Sequence, residues 1–123
     1  MPTTRSAALN GQGQRIAIAA ARFNAQIVEQ LVAGAVDGLT RHGVAADAIT
    51  VVWCPGSWEL ALVCKKLAES KKYDAVIACG AVIRGETPHF DYVAGEAAKG
   101  LAGVQQATGV PIVFSVLTTD TTD

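Results

Sequence analysis

Four short apolar runs recur along this chain, and the first three are each followed by a turn and then by an apolar stripe of helical period. The runs are Arg15 to Ala20, Ile49 to Trp53, Tyr73 to Ala81 around Ala75-Val76-Ile77-Ala78, and Ile112 to Leu117. Unbroken apolar runs of this length suit strands covered on both faces of a sheet. Between them lie three stripes at three- and four-residue spacing. Ile27, Val28, Leu31, Val32, Ala35, Val36 and Leu39 form the first, within Ala25 to His42. Leu60, Val63, Cys64 and Leu67 form the second, from about Trp58 to Ser70, and Phe90, Val93, Ala94, Ala97, Leu101 and Val104 the third, within Phe90 to Thr108. Each stripe predicts an amphipathic helix.

Strand and helix in alternation require crossover connections, so the sheet should be parallel and the crossovers right-handed. The expected fold is α/β, a flavodoxin-like three-layer sandwich with a four-stranded parallel sheet and helices on both faces. At 123 residues, half of them hydrophobic, the chain fits one domain with a covered sheet. Residues 1–14 carry no periodicity and read as a flexible N-terminal arm, leaving 15–123 as the single domain. Asn24 is placed to cap the first helix and Gly43 to stop it, while His42 suits that helix end for dipole reasons. Pro55 closes the second strand, and Gly109-Val110-Pro111 ends the third helix.

In such a sheet all strand ends meet at one edge, where ligands bind. The ends are Phe23-Asn24, Ser57-Trp58-Glu59, Ala81 to His89 and Phe114-Ser115. The stretch from Cys79 to Asp91 concentrates Arg84, Glu86, His89 and Asp91 within eight residues of a chain only 17% charged. Thr87 suits a cap and Pro88 the first helical position, so the loop should end in unpaired helix N–H groups that attract anions such as phosphate. A Gly, a Thr and a Pro at such a junction are also ordinary turn chemistry.

Composition excludes several classes. Ten Lys and Arg against eleven Asp and Glu give a formal charge of −1 and a pI near 6.1, with no basic footprint for nucleic acid. No apolar run approaches the roughly 18 residues of a membrane span, and Met1 to Gln14 lacks the apolar core of a signal peptide, so a cytoplasmic location is expected. Cys54, Cys64 and Cys79 are an odd number without metal-ligand spacing, which supports neither a disulfide framework nor a zinc site.

Four segments in order resemble the lumazine synthases of riboflavin biosynthesis. They are Ala21-Arg22-Phe23-Asn24, Pro55-Gly56-Ser57-Trp58-Glu59, Gly80 to Val93, and Val110-Pro111-Ile112-Val113-Phe114, which together span about Arg15 to Asp120. The resemblance implies condensation of 5-amino-6-(D-ribitylamino)uracil with 3,4-dihydroxy-2-butanone 4-phosphate, with no metal or organic cofactor. It implies that Phe23, with Asn24 beside it, stacks on the pyrimidine, that Ser57, Trp58 and Glu59 hold the ribityl chain and ring edge, and that Ala81, Val82 and Ile83 offer backbone contacts. It further implies that Glu86 and Thr87 hold the butanone phosphate and that His89 transfers protons. Phe114 would come from a neighbouring subunit of a homo-oligomer built on pentamers, with decamers and 60-subunit shells as larger forms.

The residues also have plainer readings. An aromatic directly after a strand is ordinarily core, Trp58 can be a packing residue, and Glu59 or Glu86 in a first helical turn can be a dipole partner. For His89 the helix dipole disfavours the cation, which suits a proton acceptor at neutral pH, while Asp91 opposes that effect. Two features depart from the family pattern: Ser115 stands where a glycine is usual, and the sequence ends at Asp123, before the family's C-terminal helical segment with its phosphate-neutralising arginine and lysine. The expectation is therefore an incomplete phosphate site, and apolar surface exposed on the first strand's side of the sheet. A non-catalytic flavin- or lumazine-binding protein, or a shell-forming one, is the alternative function.

Overall fold

A computed structural model describes residues 2–4, 9–83 and 89–119, with the backbone alone at 89–91 and 119. Four strands, β1 (Ile16–Ala21), β2 (Ile49–Cys54), β3 (Ala75–Ile83) and β4 (Ile112–Thr119), alternate with α1 (Ala25–Arg41), α2 (Leu60–Glu69) and α3 (His89–Thr108). The strands form one sheet in the order β2-β1-β3-β4, and every pairing is parallel. The α/β sandwich expected from the alternation is the fold found.

Side-chain direction along the strands divides the interior in two. Ile18, Ala20, Cys79 and Ala81 meet Val28 and the rest of the α1 stripe on one face. On the other, Ala17, Ala19, Ala21, Val76, Ala78 and Val82 meet Leu60, Cys64 and Ala68 of α2 and Leu101 and Val104 of α3. All six residues of β1 are buried, four of them alanines, as befits a central strand pressed from both sides. Within the sheet, large apolar side chains are exposed on the edge strands, at Val51 of β2 and at Val113, Phe114 and Leu117 of β4. Val113 and Leu117 pair with Ile77 and Ala81 on the α1 face. β1 itself is enclosed, and the exposed apolar side chains of the sheet lie on its two edge strands, most of them on β4.

Element boundaries differ from the periodicity in instructive places. The third strand starts later than Tyr73, because Asp74 is held by Arg15: the Asp74 N–H donates to the Arg15 carbonyl at 2.7 Å, and the Arg15 N–H to Asp74 Oδ2 at 2.7 Å. It also runs on to Ile83, since β4 keeps pairing with it as far as Ile83 with Thr119. The second helix is preceded by a 3₁₀ turn over Ser57–Glu59, so the α-helix begins at Leu60 rather than Trp58. His42 does stand at the end of α1, its Nδ1 2.7 Å from the Gly38 carbonyl.

Candidate active site

The connections leave the sheet in opposite senses from its middle. From β1 the chain passes over one face through α1 to β2, while from β3 it passes over the other through α3 to β4. The crevice beyond the carboxyl ends of β1 and β3 is therefore the switch point of the topology, the usual ligand position in such folds. It holds a cavity of about 440 Å³ lined by Phe23, Pro55, Gly56, Ser57, Trp58, Glu59, Ala81, Val82, Ile83 and Val93. That size suits a small-molecule ligand.

Seven of the residues singled out in the sequence meet here: Phe23, Ser57, Trp58, Glu59, Ala81, Val82 and Ile83. Phe23 is 72% exposed and Trp58 59%, so neither is a core or packing residue in this chain. Phe23 projects from a backbone that leans on the β2 side, for the Arg22 N–H donates to the Cys54 carbonyl at 2.8 Å and the Phe23 N–H to the Pro55 carbonyl at 3.0 Å. Behind it Arg22 lies 5.7 Å over the Trp53 ring, a cation–π contact that holds the segment to β2.

Ser57 is the one buried polar residue among those described, at 5% exposure. It fits because Gly80 in β3 has no side chain: a Cβ there would come within 2.6 Å of Ser57 Oγ and 3.1 Å of Leu60 Cδ1. Glu59 in the same turn is half-buried, and its Oε2 is a buried oxygen with no hydrogen-bond partner among the described residues. That oxygen lies over Gly56, 3.3 Å from where a Cβ would stand. An acceptor left dry in a cavity wall costs on the order of 1–3 kcal/mol unless a ligand or solvent donor meets it. The nearby Cys54 thiol is pushed up by burial and, secondarily, by the Glu59 carboxylate, so it is held protonated and is a poor nucleophile.

Other candidates fall elsewhere. Asn24 stands at the head of α1 but does not cap it with its side chain; its backbone is left-handed, φ 64° and ψ 44°, and its Nδ2 donates to the Ala81 carbonyl at 2.9 Å. This corrects the expectation of a capping side chain. Phe114 pairs in register with Ala78 and lines a separate groove with Leu101, Gln105 and Ile112, away from the cavity of its own chain. Glu86 and Thr87 lie outside the described residues, and of His89 only the backbone is described, as the first residue of α3. Among the described residues no three His, Cys, Asp or Glu side chains are grouped as metal ligands. None of the described helices is long and apolar enough to cross a membrane.

Sequence reasoning gave Val93, which reaches the cavity from α3, no site role, because at the end of the Gly80 to Val93 segment it also reads as one more apolar stripe position. Pro55 and Gly56 were visible as turn residues, and what they wall in depends on how the strands are ordered. Compared with known protein families, residues 13–123 match the model of the family described as 6,7-dimethyl-8-ribityllumazine synthase.

Proposed function

Since this chain belongs to the 6,7-dimethyl-8-ribityllumazine synthase family, a transferase of riboflavin biosynthesis, we propose that its cavity joins 5-amino-6-(D-ribitylamino)uracil to 3,4-dihydroxy-2-butanone 4-phosphate. The products are the lumazine, phosphate and two molecules of water. The observation that carries this reading is Glu59 Oε2, buried and without a hydrogen-bond partner among the described residues, in the wall of a cavity flanked by two exposed aromatics. A polyol carries the hydroxyl donors such a carboxylate lacks, and a flat heterocycle suits the Phe23 ring.

The backbone supports the ring position. Along a parallel strand successive residues turn both N–H and C=O to alternate sides, and Val76 donates to the Pro111 carbonyl on the β4 side. Ala81 and Ile83 therefore face the other way, where β1 has already ended, and Ile83 presents a donor and an acceptor toward the crevice. A pyrimidinedione edge carries the matching acceptor and donor.

The chemistry needs orientation and proton transfer more than a strong nucleophile. The 5-amino group adds to the ketone and a first water leaves, phosphate is eliminated to give an enol that tautomerises to a ketone, and the ribitylamino nitrogen closes the ring on that carbonyl with loss of a second water. We assign the proton transfers to His89, at the start of α3, and the phosphate to Glu86, Thr87 and the α3 N-terminus. Phe114, 48% exposed and outside its own chain's cavity, is the aromatic that a neighbouring copy would contribute, in an assembly built on five-fold rings. The three unpaired, buried cysteines suit a reducing compartment, in keeping with a cytoplasmic enzyme.

Single-turnover mixing with both substrates, followed by the absorbance of the lumazine, tests the proposal. Product formation is expected, and His89→Ala should slow it by about 100- to 10,000-fold while leaving pyrimidine binding intact. Tight pyrimidine binding by the wild type with no chromophore would identify a binding protein instead.

A further inference from the structure

We propose that Asn24 is a positioning residue whose side-chain amide takes the place of a missing strand partner and so fixes the edge of β3 at Ala81–Ile83. The last β1 residue in register with β3 is Ala20, opposite Cys79, yet β3 continues to Ile83 with β4 as its remaining neighbour. Beyond Ala21 the chain bends toward β2, where Arg22 and Phe23 spend their N–H groups on Cys54 and Pro55. The Ala81 carbonyl, turned to the β1 side, is thereby deprived of a ladder donor. Asn24 Nδ2, 57 residues away in sequence, supplies it at 2.9 Å.

The backbone at Asn24 is built for this reach. With Lys71 it is one of two described non-glycine residues at positive φ, a region asparagine tolerates better than most residues. No side-chain cap bond is made to α1, so the commonest use of an asparagine at this position is forgone for a long-range tie. The tie is made to Ala81 and not to Ile83, which lines the cavity two residues further along the strand. Asn24 thus acts through the β3 backbone, and the amide needs no contact with the ligand.

This inference rests on the reading that Ala81–Ile83 contacts the ring, and one arm of its test needs no ligand. Asn24→Gly keeps the left-handed conformation and removes the amide. Asn24→Asp keeps the shape but sets an acceptor against the Ala81 carbonyl. Thermal unfolding verifies that both variants fold. In the ligand-free protein, amide hydrogen exchange over Ala81–Ile83 should quicken by about three- to tenfold in Asn24→Gly, the effect of one lost hydrogen bond, and at least as much in Asn24→Asp, with β1 unchanged. Affinity for 5-amino-6-(D-ribitylamino)uracil should fall by a similar factor, while turnover at saturation changes less. Unchanged exchange with weakened binding would make Asn24 a direct ligand contact, and faster exchange with unchanged binding would show that this edge does not read the ligand; either overturns the proposal. If the wild type binds no pyrimidine, the proposed substrate is wrong, and unchanged exchange alone would still overturn the tie.

Discussion

Gly80 and Ser57 occupy one space between them: the position of a Gly80 Cβ is 2.6 Å from Ser57 Oγ, too close for both to exist without movement. Gly80→Ala should therefore push the Ser57–Glu59 turn out of the cavity wall. Overpacking of this kind typically costs about 1–3 kcal/mol. Urea denaturation should show that loss as a lowered midpoint, and binding of the pyrimidine should weaken further than global stability alone explains. A Gly80→Ala protein with wild-type affinity would mean that Ser57 is not fixed by this contact.

Glu59 separates stability from function. Its Oε2 is buried without a partner among the described residues, so Glu59→Leu removes an unsatisfied acceptor and should leave stability unchanged or raise it by up to about 1–3 kcal/mol. The same change should weaken ligand binding by about tenfold or more, the worth of a hydrogen bond to a charged group. Thermal melts and isothermal titration on the two proteins measure both. A destabilised variant that bound normally would make Glu59 a structural residue.

Burial, and then the neighbouring Cys54 and Cys79 thiols, push the Cys64 pKa from the ordinary 9.0 up to about 12. A raised folded pKa means that the native state holds its proton longer than the unfolded chain, so stability is full below about pH 9 and declines as pH rises toward 12. Cys54 and Cys79 are raised too, and act in the same direction. Cys64→Ala should flatten this alkaline decline relative to wild type in urea titrations between pH 8 and pH 11, after allowance for its lower baseline. Equal slopes would show that the thiol is not protected.

At the amino ends of the inner strands β1 and β3 the sign reverses. The Arg15 backbone N–H and its side chain hold the Asp74 carboxyl below the usual carboxylate range. A depressed folded pKa contributes stability above the unfolded value, near 3.9 by the usual reference, and loses it as pH falls through the folded one. Asp74→Asn should be less stable than wild type at pH 7, and the two should converge below about pH 4. A constant gap across that range would attribute the effect to the backbone pairing alone.

Much of this was legible in the chain because strand and helix have different periods. The runs read from Ile49 and Ile112 open strands at those residues, and the run read from Arg15 opens one at Ile16. The parallel sense follows from alternation, but the order β2-β1-β3-β4 does not, since it depends on which face each crossover takes. The motif residues of the cavity were also legible, as turn chemistry at strand ends. What each does was less so. Asn24 looks like a cap from its neighbours in sequence, and only a carbonyl 57 residues distant reveals its use. Gly80 reads as one small residue within an apolar run until Ser57 is laid against it. Both are relations between distant segments, on which local propensity is silent.

The switch-point cavity also governs the order of events in folding. Its walls come from Phe23, from Pro55 to Glu59 and from Ala81 to Ile83, so no single βα unit contains a binding surface. Contacts so separated in sequence form after the loops between them have closed. A ligand that needs all three walls therefore recognises the finished sheet and not the transition state that leads to it. It holds the native protein together by slowing its unfolding, in proportion to site occupancy, and leaves the rate of refolding as it was.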